Sequence, residues 1–277
     1  MKKFRLLLLA VLLGFGLISC DFKAVNAENK AIAAQEQENK QEQKATFNQD
    51  SIQFVAPLTN KAEQIVERKA YIVSYNKDTK CPNWVAWKLT AERCNGELER
   101  PQNAFQEDKD VPKPRATLAD YKKSGWTRGH MCPAGDNKWD EDAMMESFLL
   151  TNMCPQSAAL NSGRWNDIER LCRQWVEKYG ELYIICGPIF YNQEHQTIGT
   201  NKVVVPEAFF KVVVSLGTEP KAIGFICKNM GEKKSRSNYV NSIDEIERIT
   251  GYDFFPNLDD KIEKMIEVQK DLNNWQK

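Results

Sequence analysis

The sequence predicts an α+β domain in which an antiparallel sheet is flanked by helices. Short runs of β-branched and aromatic residues outnumber amphipathic helical patterns, and both kinds of segment follow one another from about residue 70 onward. The chain after residue 50 has about 225 residues, enough for one domain with a substantial core. No internal repeat divides it.

Seven segments have the character of strands. Each is a short run with apolar, β-branched or aromatic residues, the types that fit a pleated and half-buried surface. They are residues 70–75, 84–89, 127–132, 148–153, 182–186, 209–216 and 222–227. We expect them to build the antiparallel sheet.

Four segments have the spacing of amphipathic helices, namely residues 140–147, 163–179, 243–250 and 259–273. The clearest is 163–179, where large apolar residues recur at intervals of three and four positions: Trp165, Ile168, Leu171, Cys172, Trp175 and Val176. This segment places Asn161 at the start of a helix and Glu169 two turns into it.

The N-terminal residues resemble the signal of a bacterial lipoprotein. Basic residues lie within the first five positions, residues 6–18 are apolar but too few for a typical membrane-spanning helix, and Cys20 follows. The resemblance implies a signal peptide at residues 1–19 and acylation of Cys20. An ordinary signal peptide with an incidental cysteine is the alternative.

Residues 20–50 differ in composition from the rest of the chain. They are rich in Ala, Glu, Gln, Asn and Lys, which cannot form a core, so they are expected to be a flexible tether. Residues 51–277 are then the folded domain. The protein is expected to be exported and held at a membrane by its lipid anchor, facing the periplasm or at the cell surface.

The chain is electrically balanced, with 38 basic and 38 acidic residues. Removal of residues 1–19 with their basic residues leaves 35 basic and 38 acidic residues, a net charge of about −3. This excludes a bulk polycation, so affinity for nucleic acid requires a local basic surface. Residues 109–138 could provide one, with Trp126 and Trp139 as stacking residues or as part of the core.

His130 is one of only two histidines in the chain. Arg128 lies two residues before it, so in an extended segment both side chains leave the same face of the strand. A neutral imidazole can take a proton near pH 7, and a guanidinium beside it can hold a phosphate on which negative charge builds up. The pair predicts a general base and a phosphate-binding arginine. The alternative is a structural histidine.

The segment after His130 contains oxygen ligands that suit Mg²⁺, namely Asn152, Asn161, Asp167 and Glu169. In a continuous helix, Asn161 and Glu169 would be separated by roughly 12 Å along the axis, too far for both to bind one ion directly. Glu169 is therefore expected to act through metal-bound water. Alternatively, Glu169 forms an ordinary surface pair with Arg173.

Three motifs, in this order, resemble the DNA/RNA non-specific endonucleases of the ββα-metal (His-Me finger) type. They read TRGH at 127–130, TNMCPQ at 151–156, and Asn161 through Trp165 to Glu169. The similarity covers most of the chain after residue 71. It implies a ββα-metal fold and metal-dependent hydrolysis of phosphodiester bonds in DNA, RNA or both, with little sequence preference.

The resemblance also implies roles for individual residues. Arg128 binds phosphate, His130 is the general base and Asn152 supports them. Asn161 is the sole direct protein ligand of Mg²⁺, for which Mn²⁺ could substitute, and the acidic residue of the third motif orders the water of the ion. An upstream arginine that helps to bind phosphate is best placed at Arg100. Nucleic acid is the implied substrate, and the oligomeric state is left open.

The first motif departs from the family pattern at Thr127, where the family has an aspartate. Threonine is β-branched and suits a strand, and the implied chemical roles fall on later residues of the motif, so activity is expected to survive. Two alternatives stay open. One is a catalytically weak, membrane-tethered nucleic-acid-binding protein, and the other is a phosphodiesterase for small nucleotides.

Seven cysteines follow Cys20, an odd number that cannot pair completely within one chain. No C-x-x-C pair occurs, so a structural zinc site is not expected, whereas disulfides suit an exported protein. Cys132 lies two residues after His130, and Cys154 lies two after Asn152. If those strands meet at the site, a Cys132–Cys154 disulfide is geometrically feasible.

Overall fold

The computed structural model describes residues 52–232 and 234–275. The predicted signal peptide, Cys20 and the tether lie outside these residues. Within the described ranges, no helix has both the length and the apolar composition needed to cross a membrane. These residues form an α+β domain with a central antiparallel sheet between helices, which confirms the predicted fold class.

Eleven strands occur in the described part of the chain. They are β1 Gln64–Glu67, β2 Ile72–Asn76, β3 Cys81–Thr90, β4 Thr127–His130, β5 Met153–Gln156, β6 Glu181–Ile189, β7 Thr197–Ile198, β8 Val203–Val204, β9 Ala208–Ser215, β10 Lys221–Lys228 and β11 Val240–Asn241. Seven form one antiparallel sheet in the order β1-β2-β3-β6-β9-β10-β11, while β4 pairs with β5 and β7 with β8.

The centre of the large sheet is buried on both faces. Every residue of β9 is buried, and so is nearly every residue of β6, because elements pack on both sides of these strands. Phe210 of β9 packs against Tyr252 and Phe254 on one face. The next residue, Lys211, lies against Trp165 on the opposite face.

Seven α-helices lie in the described residues, and most are short. They are α1 Ala91–Cys94, α2 Leu118–Tyr121, α3 Glu141–Glu146, α4 Ala158–Leu160, α5 Asn166–Tyr179, α6 Ile243–Thr250 and α7 Asp260–Glu267. Helix α5 covers one face of the sheet, where Trp175 stacks on Phe225 of β10. Helix α6 covers the other face, where Ile246 leaves no room for a side chain at Gly224.

Two predicted segments need correction. Residues 148–153 are not a strand, because Leu150–Asn152 forms a 3₁₀ turn and β5 begins only at Met153. Residues 259–273 are not one helix, because α7 ends at Glu267 and a separate 3₁₀ turn follows at Leu272–Trp275. The other predicted strands overlap observed strands, and the helices predicted at 140–147 and 243–250 are α3 and α6.

The predicted Cys132–Cys154 disulfide is wrong, because both residues are buried free thiols. In the β4–β5 register Gly129 lies opposite Cys154, so Cys132 lies beyond the end of β4 rather than opposite Cys154. The sulfur of Cys132 accepts a hydrogen bond from Asn137 Nδ2 at 3.4 Å instead.

Candidate active site

A cavity of about 460 Å³ opens beside the β4–β5 pair and the start of α5. Side chains that can bind an anion, bind a metal ion or transfer a proton line it: Arg100, His130, Lys138, Asn161, Glu169 and Arg173. Four of these are predicted site residues from three separate segments of the chain. The fold therefore brings most of the predicted site together.

His130 is the last residue of β4 and is only 8% exposed. Its ring packs edge-on against Phe148, with ring centroids 5.1 Å apart, and its carbonyl accepts a hydrogen bond from Trp165 Nε1 at 3.1 Å. Gly129 of the TRGH motif lets the backbone of β4 approach Gln156 of β5 closely, because a side chain at position 129 would collide with that glutamine. Backbone and ring are thus both fixed.

The imidazole of His130 is neutral in this environment. Burial disfavours its charged form, and the guanidinium groups of Arg100 and Arg128 add to this effect, so the pKa of His130 falls to about 3. Its Nε2 is buried and has no hydrogen-bond partner among the described residues. A buried polar atom without a partner is rare in proteins.

The two predicted arginines lie on the aromatic side chains that surround His130. The Arg128 guanidinium is 4.2 Å from the ring centroid of Phe105, and that of Arg100 is 5.1 Å from the ring centroid of Phe148. Such cation–π contacts hold a guanidinium in place without neutralising it. Arg100 also lines the cavity, so the structure places it near the residues that the sequence grouped with it.

Asn161 is oriented by Thr127. The hydroxyl of Thr127 donates its one proton to the carbonyl of Gln156 at 2.7 Å, so its oxygen can only accept from Asn161 Nδ2, which lies 3.0 Å away. This fixes which end of the Asn161 carboxamide faces the threonine. The amide oxygen of Asn161 is then left for the cavity, as a ligand of a hard cation requires.

Asn161 and Glu169 do not lie on one continuous helix. Residues Asn161–Trp165 form a π turn in which Gly163 has non-helical dihedral angles, and α5 begins only at Asn166. The axial separation predicted for a continuous helix therefore does not apply. Both side chains line the same cavity, as expected if one binds a metal ion and the other acts on its water.

Glu169 has a raised pKa of about 7. Burial is the main cause and favours the protonated form, while the cations of Lys211, Arg173 and Arg100 act against it and Asp136 adds to it. The carboxyl group therefore changes charge in the physiological range. A divalent cation nearby would favour its ionised form.

Two of the predicted oxygen ligands are committed elsewhere. Asn152 is fully buried, and its carboxamide accepts from Cys132 N at 2.9 Å and donates to the carbonyls of Cys132 and Ser147, each at 2.8 Å. It is therefore a support for the loop that follows His130. Asp167 pairs with Arg164 at 3.1 Å and does not line the cavity.

A profile of the family described as DNA/RNA non-specific endonuclease matches residues 47–261. The chain belongs to this family. It is accordingly a nuclease, a hydrolase, as are the relatives named endonuclease G and nuclease. Four of the residues that the family resemblance singled out in the sequence line the cavity, namely Arg100, His130, Asn161 and Glu169.

The relatives of this endonuclease are identical to it at about a third of the aligned positions. Mitochondrial nuclease EXOG of Homo sapiens is 34% identical over an alignment of 224 residues, which covers 75% of this chain and 60% of that protein. Nuclease C1 of Cunninghamella echinulata var. echinulata is 36% identical over an alignment of 230 residues, which covers 76% of this chain and 90% of that protein. The chain thus spans less than two thirds of the human nuclease.

A solved structure supports the predicted ββα-metal fold. The crystal structure of the EndoG/EndoGI complex contains a chain that matches with a TM-score of 0.69 and 26% identity, covering 75% of this chain and 92% of that chain. The endonuclease therefore has the fold that its motifs implied.

Arg173 and Asp136 of this endonuclease were not predicted as site residues. Arg173 lines the cavity one turn after Glu169, and its Nη1 donates to Asp136 Oδ1 at 2.8 Å. The alternative of a Glu169–Arg173 surface pair is therefore wrong. The spacing of four could have placed Arg173 beside Glu169, whereas Asp136 is far away in sequence and gives no such signal.

The basic segment 109–138 contributes less to the site than its composition suggested. Lys138 lines the cavity, but Arg115 is bound to Glu107. Trp126 and Trp139 are partly buried against the hydrophobic core, which favours the core interpretation of both. The cationic surface at the cavity is formed mainly by arginines from other segments.

Replacing Thr127 with valine should weaken divalent-metal binding. Valine keeps the shape of threonine but cannot accept the hydrogen bond from Asn161, whose carboxamide would then lose its fixed orientation. We expect a roughly tenfold higher dissociation constant for Mg²⁺, measured by calorimetry and by the Mg²⁺ dependence of cleavage. Thr127→Ser, which keeps the hydroxyl, is the control. Equal affinities in Thr127→Val and the wild type would contradict this role.

Proposed function

We propose that the protein is an endonuclease that uses Mg²⁺, or Mn²⁺ as a substitute, to hydrolyse DNA, RNA or both with little sequence preference. The observation that carries the proposal is the meeting of His130, Asn161, Glu169 and Arg100 in one cavity. A neutral base, an oxygen ligand, a carboxylate and a fixed cation are the groups that metal-assisted phosphodiester hydrolysis requires.

His130 takes the proton from the attacking water. A pKa of about 3 makes it a weak base in the free protein, because burial and two arginines oppose its charging. The negative charge of a bound phosphate would offset both guanidinium groups and so raise the pKa of His130, although the effect of burial would remain. The base would thus be stronger when the substrate is in place.

Asn161 and Glu169 form the metal site. The amide oxygen of Asn161, left free by the contact with Thr127, would bind the ion directly, and the carboxylate of Glu169 would order its water shell. This donor set fits Mg²⁺, which keeps several waters and takes few protein ligands. When bound, the ion supplies positive charge to the scissile phosphate and the leaving oxygen.

Arg128 and Arg100 hold the phosphate group. Both guanidinium groups are fixed on aromatic rings beside His130, so their donors are available to phosphate oxygens. Contacts to the phosphate backbone carry no direct information about base identity, which accounts for a low sequence preference. Asn152 supports this arrangement from the buried side.

For the whole chain we propose an exported lipoprotein. A signal peptide at 1–19, acylated Cys20, a tether to residue 50 and the nuclease domain at 51–277 would hold the enzyme at a membrane, facing the periplasm or at the cell surface. The sequence pattern around Cys20 supports this arrangement. Metabolic labelling with a palmitate analogue tests it, since label that persists in Cys20→Ala would exclude lipidation at this residue.

Replacing His130 with alanine should abolish most cleavage. Removing the general base costs on the order of 10²- to 10⁴-fold in rate, measured on supercoiled plasmid and on RNA with Mg²⁺ or EDTA. His195→Ala is the matched control, because His195 is the other histidine of the chain and pairs with Glu207 outside the cavity. Cleavage at the wild-type rate by the His130 variant would refute the assignment.

The same assay separates the two alternatives. A folded wild-type protein that binds nucleic acid but cuts neither substrate with Mg²⁺ or Mn²⁺ would favour the catalytically weak binding protein. Hydrolysis of a chromogenic diester without cleavage of long nucleic acid would favour the small-nucleotide phosphodiesterase.

Mg²⁺ affinity should depend on pH through Glu169. Its pKa is about 7, and only the ionised carboxylate favours a hydrated cation, so binding is strongest above pH 7 and weakens as the pH falls. Below pH 7 we expect the dissociation constant, measured by calorimetry, to rise by about tenfold per pH unit.

Variants of neighbouring acidic residues test this pH dependence. Glu169→Gln should bind Mg²⁺ weakly at every pH, because it has no proton to lose. Asp167→Asn should keep the wild-type slope, since Asp167 pairs with Arg164 and does not line the cavity. A pH dependence that persists in Glu169→Gln would assign the titrating group elsewhere.

A further inference from the structure

Lys211 is a charged side chain in the hydrophobic interior. It lies in the middle of β9 and is 1% exposed. Burial lowers its pKa, but the thiols of Cys186 and Cys172 and the carboxylates of Glu169 and Asp136 outweigh that effect, so the pKa is raised overall. Lys211 is therefore positively charged, in the interior next to the cavity but not in its lining.

Two tryptophan rings flank this charge. The Nζ atom of Lys211 is 4.8 Å from the ring centroid of Trp87 and 4.6 Å from that of Trp165. An ammonium group attracts the electron-rich faces of indole rings, most strongly when water is excluded. The three side chains form one unit, which we call the indole clamp.

Both indole N–H groups of the clamp reach the wall of the active site. Trp165 Nε1 donates to the carbonyl of His130 at 3.1 Å, and Trp87 Nε1 donates to Asp136 Oδ2 at 3.1 Å. The other oxygen of Asp136 accepts from Arg173, which lines the cavity. Through Trp165 the clamp is therefore hydrogen-bonded directly to His130. Through Trp87 it is connected to the cavity by Asp136 and Arg173.

Packing alone does not account for a lysine at this position. An apolar side chain of similar length would fill the space between the two rings without the cost of burying a charge. Methionine, for instance, is unbranched and flexible enough to do so. The cation adds attraction to both rings and partly offsets the negative charge of Asp136 and Glu169.

We propose that Lys211 is a positioning residue of the nuclease: it holds two indoles whose N–H groups fix the backbone of His130 and the Asp136–Arg173 pair. Lys211 itself does not line the cavity. The proposal rests on the proposed function only in taking His130 as the base, and the clamp itself is a property of the folded protein.

Lys211→Met tests this role by removing the charge while keeping the length. We expect kcat on plasmid DNA to fall by roughly tenfold or more with KM nearly unchanged, because misplacing a catalytic group affects turnover more than binding. The control is Lys221→Met, which removes a lysine 4.6 Å from the ring of Tyr179, away from the cavity. A folded Lys211→Met enzyme with wild-type kcat would overturn the proposal.

A second measurement does not depend on catalysis. In protein labelled with ¹⁵N-tryptophan, the indole N–H signals of Trp87 and Trp165 should exchange with solvent deuterium faster in Lys211→Met than in the wild type or in Lys221→Met. Unchanged exchange at both signals would also overturn the proposal. If instead the wild type and His130→Ala cut nucleic acid equally, the proposed base is wrong, while the exchange data still test the clamp.

Trp87→Phe keeps the test decisive if Lys211→Met does not fold. Phenylalanine preserves a ring face for the cation but has no N–H group to donate to Asp136. The proposal predicts a lower kcat for this variant, with KM nearly unchanged. Wild-type kcat in Trp87→Phe, together with wild-type kcat in Trp165→Phe, would show that the indole contacts do not position the site.

Discussion

The carboxamide of Asn152 makes the contacts on which the geometry of the site depends. It bridges the backbone of Cys132, two residues after His130, and the carbonyl of Ser147 at the end of α3. The side chain is fully buried, so no water replaces a lost partner, and each peptide group left unpaired would cost about 1–3 kcal/mol. A residue without access to the cavity therefore determines where the imidazole lies.

Burial acts on the two titratable groups of the site in opposite directions. It disfavours the charged form of each, so the pKa of His130 falls to about 3 and that of Glu169 rises to about 7. The free cavity thus combines an uncharged base and a partly protonated acid with the cations of Arg100 and Arg173. Such a cavity favours an anion. A bound phosphate would make the imidazole a stronger base, and a divalent cation would favour the ionised form of Glu169.

The residues proposed to do chemistry were predictable from the sequence, because they lie at short spacing on one strand or around one helix. His130, Asn161 and Glu169 were found in this way. Among the residues that hold them, Asn152 was predicted from its motif, but Lys211 and Asp136 were not, since their partners come from distant segments. The two main errors have local causes: side-chain hydrogen bonds of the TNMCPQ motif stabilise a turn where a strand was expected, and the β4–β5 register separates the cysteines that were expected to pair.

Thr127 explains how the site can do without the aspartate of the family at this position. The contact seen here requires an atom that accepts a hydrogen bond from Asn161 and a group that satisfies the carbonyl of Gln156, and one hydroxyl does both. A carboxylate could accept the first bond but not donate the second. It would also add a negative charge close to the metal site, where charges 4 Å apart interact by about 4 kcal/mol at an effective dielectric constant of about 20. Threonine therefore preserves the orientation of Asn161 without adding that charge.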